Sequence, residues 1–253
     1  MPRALALSPT TSEGVPLYPV PLASEGVRLA FTGRDGGVSA GPYASLNLGT
    51  HVGDDPEAVA TNRARLATAL GVPEVAYLRQ VHGSQLVTSD EPESEADLLE
   101  VLPGSAGAIM VADCVPLAFW HSTTDRLVLV HAGWRGLAGD ALDVAVARLG
   151  TPEDLHVVVG PAIAGADYQV GEDVVAAHPS FHSHAVADGT RFRLDLRAVA
   201  VTQLLALGLR DEHLRVVTAS TGPDGPFFSD RAARPCGRFA LTAVSRPSLS
   251  SKG

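Results

Sequence analysis

The sequence predicts one domain in which a mixed β-sheet, or two packed sheets, is flanked by helices. Three observations lead there. Short apolar runs alternate with segments of helical spacing along the chain. The 25 glycines and 18 prolines are scattered, so many tight turns join short elements and no long linker divides the middle. Hydrophobic residues make up 45% of the 253 positions and charged residues 19%, enough apolar surface for a sizeable core.

The elements follow in order. Residues 1–25, rich in Pro, Ser and Thr, are expected to be a loosely ordered lead-in to a domain over 26–245, and 246–253 a flexible tail. Val27–Thr32 reads as a strand and Gly33–Gly53 as a long Gly-rich loop. Pro56–Leu70 reads as a helix: Asp54 or Asp55 can cap it, Pro56 suits its first turn, and Val59, Leu66 and Leu70 keep helical spacing. Val75–Val81 is an expected strand, Ala108–Trp120 holds one or two strands around Asp113-Cys114, and Arg126–His131 is a short buried strand. Gly133–Gly136 turns the chain into an amphipathic helix over Leu137–Leu149. His156–Val159 is a strand stopped by Gly160-Pro161, and Gly171–His178 starts another helix. Phe192–Leu194 reads as a strand, Leu196–Leu207 as a helix ended by Gly208, and Leu214–Thr218 and Arg238–Val244 as the last strands.

Composition removes several function classes. A net charge of −9 disfavours non-specific binding to nucleic acid or to anionic membrane. The one lysine, Lys252, sits in the expected tail, which argues against a P-loop NTPase and against a Schiff-base nucleophile. Two cysteines, Cys114 and Cys236, are too few for a disulfide framework. With no apolar run of signal-peptide length and none near the ~18 residues of a transmembrane helix, a cytoplasmic protein is expected.

Three segments share one design: Leu78–Gly83, Met110–Pro116 and Val128–Gly136. In each, an apolar run ends in a metal-competent or nucleophilic side chain (His82, Cys114 and His131) followed closely by Gly or Pro. A side chain at the end of a buried strand is held rigidly while the turn keeps one side open. Two imidazoles and a thiolate suit Zn(II) with a fourth position left for water, and the same donors would hold copper. The ligands lie 32 and 17 residues apart, without a short pair such as CxxC, so spacing alone leaves another reading open. In that reading both histidines are satisfied at strand ends and Cys114 packs as a small core residue.

Asn47 and Asn62 are the only asparagines, and both fall in or just after the Gly-rich loop, with Arg63 next to the second. Either they serve a site, or Asn47 hydrogen-bonds loop backbone and Asn62-Arg63 is a solvated helix face. His178, His182 and His184 read as surface histidines. Gly33–Gly37 is a weak phosphate-loop pattern, and Phe227–Arg231 could line a pocket or pack.

At these residues the sequence resembles the YfiH/YlmD-like, laccase-domain ("multicopper polyphenol oxidase") proteins, a family regarded as purine nucleoside phosphorylases. The resemblance runs through GRDGGVSAGPYASLNLGTHVGDDPEAV, RQVHGSQLV, ADCVPLAFW, VHAGWRGLAGD, VGPAIAGADYQVGEDV and FFSDRAARPCGRFA, over about residues 27–244. It implies an α+β fold of mixed sheets with flanking helices. It implies His82, Cys114 and His131 as zinc ligands, and Asn47 and Arg63 as polar residues of the active pocket. It also implies phosphorolysis of adenosine, inosine and methylthioadenosine, with adenosine deamination, so that purine nucleosides and phosphate are the expected partners and Cys114, Arg63 and Asn47 the expected catalytic residues. The chain departs from the family pattern at Ala162, Ala166 and Asp167, where family members usually carry cysteines, and at Ser220-Thr221 and Ser229–Arg231.

Rival readings remain at this stage. A copper-dependent polyphenol oxidase needs several coppers and more histidines close to the three segments. A Cys–His hydrolase would use Cys114 as nucleophile and His131 as base. A partner-binding module would use Trp134 and Phe227-Phe228 as anchors.

Overall fold

The structure is a computed structural model that describes residues 2–22, 26–121, 124 and 126–246. Strand Leu127–Ala132 shows how its layers arise. Its side chains alternate: Leu127 and Leu129 point into one apolar cluster with Phe31, Ile109 and Phe239, while Val128, Val130 and Ala132 point into another with Leu142, Val146 and Val199. A strand buried on both faces needs a partner layer on each.

One partner layer is a second sheet. The first sheet has seven strands in the order Arg3–Leu5, Leu214–Val217, Leu155–Val159, Val115–His121, Leu127–Ala132, Leu98–Glu100 and Leu86–Thr88. The second has five, ordered Thr10–Ser12, Val15–Val20, Val27–Thr32, Phe239–Ser245 and Ala106–Val111. Helices Trp134–Ala138, Ala141–Leu149 and Leu196–Ala206 cover the outer face of the seven-stranded sheet. Helix Pro56–Leu70 covers the five-stranded one, setting Leu66, Ala69 and Leu70 against Leu17, Ala108 and Met110. The result is a single α+β domain layered helix, sheet, sheet, helix, as the sequence predicts. Among the described residues, no helix is long and apolar enough to cross a membrane.

Helix Pro56–Leu70 has the bounds read from the sequence. The Asp55 carboxylate accepts from the N–H of Glu57, Pro56 opens the first turn, and Gly71 closes it in the left-handed region at φ 70°. Leu66 is wholly buried, and truncating such a side chain to alanine costs about 2–5 kcal/mol.

Several expectations change. The expected strand Val75–Val81 forms only two isolated bridges, Ala76 to Gly107 and Arg79 to Glu95, because its end leaves the sheet to build a turn. The expected helix Leu137–Leu149 is two helices, since Gly139 ends the first in an extended conformation and Asp140 restarts the second. The segment from Gly171 holds two short helices, Glu172–Val175 and Pro179–His182, the second capped by the His178 ring. The lead-in is not loose over its described part. Arg3–Leu5 pairs parallel with Leu214–Val217, and Val15–Val20 pairs with Val27–Thr32. Val15, Leu17 and Val20 bury their side chains there, and that burial outweighs the interruptions by Pro16 and Pro19. Of the expected tail, Arg246 pairs with Gly26, and 247–253 lie outside the described residues.

The chain passes between the two sheets several times, and one of these crossovers positions the candidate site. Ala106–Val111 belongs to the five-stranded sheet and Val115–His121 to the seven-stranded one, so Ala112–Cys114 carries the chain between them. The candidate site gathers at that point.

Candidate metal centre

Register brings the three sequence-predicted ligands together. Val115 pairs with Ala132 and Pro116 with His131, so Cys114 emerges beside the end of the strand that carries His131. Leu98 pairs with Val130 on the other side, which sets Asp97 next to His131 as well. The Asp97 carbonyl accepts the His131 N–H at 2.8 Å. His82 arrives from the turn after Arg79. The ligand atoms of His82, Cys114 and His131 all lie within 4.8 Å of one another, the only such group among the described residues. Cys114 Sγ is 3.9 Å from His82 Nε2, and the two imidazole rings meet edge to face at 4.8 Å.

Three polar groups, two of them buried, hold the donors. Asp97 is wholly buried. Its Oδ1 accepts from His131 Nδ1 at 2.7 Å and from the His82 N–H at 3.0 Å. Its Oδ2 accepts from the N–H groups of Val81 at 3.2 Å and Gly83 at 2.7 Å. Successive N–H groups closing on one anion form a nest. That nest holds His82 at φ 63°, a conformation that costs a non-glycine residue about 1–2 kcal/mol. Gln80 exchanges two hydrogen bonds with the Met110 backbone. Asp113, at φ 88°, accepts from Thr221 Oγ1 at 2.5 Å and from the Arg231 N–H at 2.7 Å, fixing the crossover that presents Cys114.

The electrostatics are those of a thiolate beside an imidazolium. Burial opposes charge on Cys114, but the charge of His131, reinforced by His82, outweighs it and brings the thiol down to about 6. Burial likewise opposes charge on His131, while Cys114 and Asp97 outweigh it and raise the imidazole to about 9. Both cysteines are free, and burial pushes the Cys236 thiol up.

The donor set fits a metal. Bonds of about 2.0–2.1 Å to nitrogen and about 2.3 Å to sulfur place tetrahedral donors about 3.6 Å apart, close to the sulfur–nitrogen separation found here. Gly133 supports the fit, since a Cβ on it would stand 2.9 Å from Cys114 Sγ and 3.2 Å from His82 Cδ2. The glycine leaves open the space into which the donors face.

The three donors line a cavity of about 540 Å³. Arg135, Arg231, Arg234 and Arg238 line it too, against the acids Asp113 and Asp230, in a chain whose net charge is −9. Trp134 and Tyr168 add aromatic faces, each carrying an arginine on its ring: Arg135 at 4.3 Å and Arg231 at 5.0 Å. His51 also lines the cavity; burial first, then the nearby Arg238 charge, lowers its pKa.

Asn47 and Arg63 lie behind this lining. Asn47 is wholly buried, donates to Gly49 O and Asp54 Oδ2, and accepts from the N–H groups of Gly49 and Arg238. Arg63 donates to Leu48 O at 3.0 Å, pairs with Glu93 at 2.8 Å and stacks on Tyr77 at 3.9 Å. Asn62, far from being a solvated face, is buried and holds Val38, Ser39, Ser45 and the Asn47 carbonyl. Asn47 and Arg63 thus brace the loop that delivers His51, and Asn47 also holds the backbone N–H of Arg238. Sequence reasoning missed Asp97, Gln80 and three of the four arginines; it reached only Arg231, in the run Phe227–Arg231 read as able to line a pocket. For Gln80 one signal could have served, its place two residues before His82.

Fold and site define a class: an α+β protein built on two large packed sheets, with a His–Cys–His donor set under an arginine-lined cavity. The chain belongs to the multi-copper polyphenol oxidoreductase laccase family, which it matches over residues 28–246. A purine nucleoside phosphorylase of Pseudomonas aeruginosa is 40% identical over 234 residues, covering 89% of this chain and 95% of that protein. One from Mycobacterium tuberculosis is 39% identical over 229 residues, covering 85% and 90%. Among solved structures, a Neisseria meningitidis protein superposes with a TM-score of 0.85 at 35% identity, covering 91% of this chain and 99% of that one. YlmD from Geobacillus stearothermophilus does so at 0.81 and 32%, covering 88% and 93%.

Proposed function

We propose that this protein is a zinc-dependent purine nucleoside phosphorylase acting on adenosine, inosine and methylthioadenosine, with adenosine deamination at the same centre. The observation that carries the reading is the convergence of metal donors and four arginines in one cavity of an acidic protein. Relatives of about 40% identity bear the phosphorylase name.

His82, Cys114 and His131 would hold the ion. A bound zinc supplies a Lewis acid and activates water at neutral pH. The remaining work falls to the chain. Phosphorolysis needs phosphate held against ribose, and planar guanidinium groups make two-point contacts with phosphate oxygens. Arg135, Arg231, Arg234 and Arg238 supply these from the wall. Trp134 and Tyr168 offer faces on which a purine stacks. His51, kept neutral by burial and by Arg238, is placed to hydrogen-bond the base. Asn47 and Arg63 act from behind by fixing the loop that carries His51.

A second reading has its own observation. A thiol lowered to about 6 beside a raised imidazole is also the ion pair of a Cys–His hydrolase. Incubating zinc-loaded protein with adenosine, with and without phosphate, separates the readings. Adenine and ribose 1-phosphate that appear only with phosphate support phosphorolysis, and inosine without phosphate supports deamination. Amide cleavage by metal-free protein, with neither nucleoside reaction, would establish the hydrolase instead.

A further inference from the structure

Asp97 belongs to neither histidine segment of the donor cluster and hydrogen-bonds to both. Its carboxylate divides its four acceptor contacts evenly. Oδ1 serves the His131 imidazole and the His82 N–H, and Oδ2 serves the N–H groups on either side of His82. The backbone repeats the link, because the Asp97 carbonyl accepts the His131 N–H and the Asp97 N–H donates to Gln85 on the far side of the turn. With Nδ1 of His131 held by Asp97, its Nε2 is the nitrogen left for a metal.

We propose that Asp97 is the positioning residue of the metal centre. It fixes His131 as the Nδ1–H tautomer and, through the nest at residues 81–83, holds His82 in the left-handed conformation that turns its ring to the same point. Metal affinity is thereby coupled to one buried carboxylate from a segment that supplies no ligand. The inference rests on the metal reading above.

Asparagine at this position cannot reproduce the arrangement, although it has the same shape. If its amide nitrogen takes the place of Oδ2, it faces the N–H groups of Val81 and Gly83, and the turn opens. If the nitrogen takes the place of Oδ1, it faces the His82 N–H. It also makes His131 Nδ1 an acceptor, which moves the ring proton to Nε2 and blocks ligation. Either orientation breaks one half of the device. Loss of a carboxylate that orients a ligand histidine lowers metal affinity by about 10- to 100-fold.

The test compares wild-type protein with Asp97→Asn by zinc competition against a chelator of known affinity, at one pH near neutrality. Amide exchange at His82 and Gly83 is followed in the metal-free proteins. The expected result is a 10- to 100-fold loss of affinity with faster exchange at His82 or at Gly83, while exchange in Leu127–Ala132 is kept. Affinity within threefold of wild type, or a loss of global stability with affinity unchanged, overturns the proposal. Wild-type protein that binds neither zinc nor copper overturns the metal reading itself, which tells the two failures apart. Should Asp97→Asn fail to fold, nitrogen NMR of zinc-loaded wild-type protein decides. Nε2 of His131 on the metal with a proton on Nδ1 supports the proposal, and ligation through Nδ1 refutes it.

Discussion

Gln80 and Met110 pair as two strands would, although one of them contributes a side chain. Gln80 Nε2 donates to the Met110 carbonyl at 2.7 Å, and the Met110 N–H donates back to Gln80 Oε1 at 2.8 Å. The amide continues the sheet at the point where the chain must leave it to place His82. Each hydrogen bond contributes about 0.5–1.5 kcal/mol net, so Gln80→Ala should cost about 1–3 kcal/mol. Zinc occupancy should fall as well when zinc is limiting. Chemical unfolding and metal analysis of the purified variant check this, and wild-type values in both would refute the link.

Gly133→Ala adds one methyl where the donors converge. The backbone there, φ −76°, suits any residue, so the effect is confined to the contacts with Cys114 and His82. Zinc affinity should drop at least tenfold with the melting temperature of the metal-free protein nearly unchanged. A large fall in that temperature with intact affinity would show that the glycine serves the fold.

The Cys114 thiol should remain reactive in mildly acidic solution when metal is absent. Its pKa lies at about 6, so the thiolate persists above that pH and is lost as pH falls through it. Alkylation by iodoacetamide, followed by mass spectrometry, should show a midpoint near pH 6 for Cys114. Cys236, buried and raised, should stay unmodified. Zinc should protect Cys114. A midpoint near that of an ordinary thiol would remove the ion pair with His131.

Arg63→Lys keeps the charge facing Glu93 but loses the Nε donor to Leu48 and the flat face on Tyr77. Stability should fall by about 1 kcal/mol, and phosphorolysis and deamination should decline together because the loop carrying His51 loosens. Both rates over a phosphate series, in one preparation, test this. A defect in phosphate dependence alone would place the guanidinium on the substrate.

The three converging donors were legible because each ends an apolar run at a turn, and that pattern survives without knowledge of the pairing. Helix Pro56–Leu70 was legible because cap, proline and closing glycine agree with its apolar spacing. Asp97 was not, since an acid in the run Glu95-Ala96-Asp97 looks like solvated charge until register sets it beside His131. The cavity arginines 231, 234 and 238 lie over a hundred residues from Cys114 in sequence. They reach it because Phe239 pairs with Val111. The three-residue strands Arg3–Leu5 and Thr10–Ser12 are too short to show a period at all.

Phe239–Ser245 is an inner strand of its sheet, flanked by Val27–Thr32 and Ala106–Val111. During synthesis its two neighbours emerge from the ribosome long before it does. Until residue 245 clears the exit tunnel they present unpaired edges and apolar faces, including the fully buried Phe31 and Ile109. At about 5–20 residues per second, the interval from Val111 to Ser245 lasts many seconds. Nascent chains stalled before Phe239 should therefore be clients of chaperones, with their metal site unassembled. Release of the final strand closes the sheet and completes the cavity in one event.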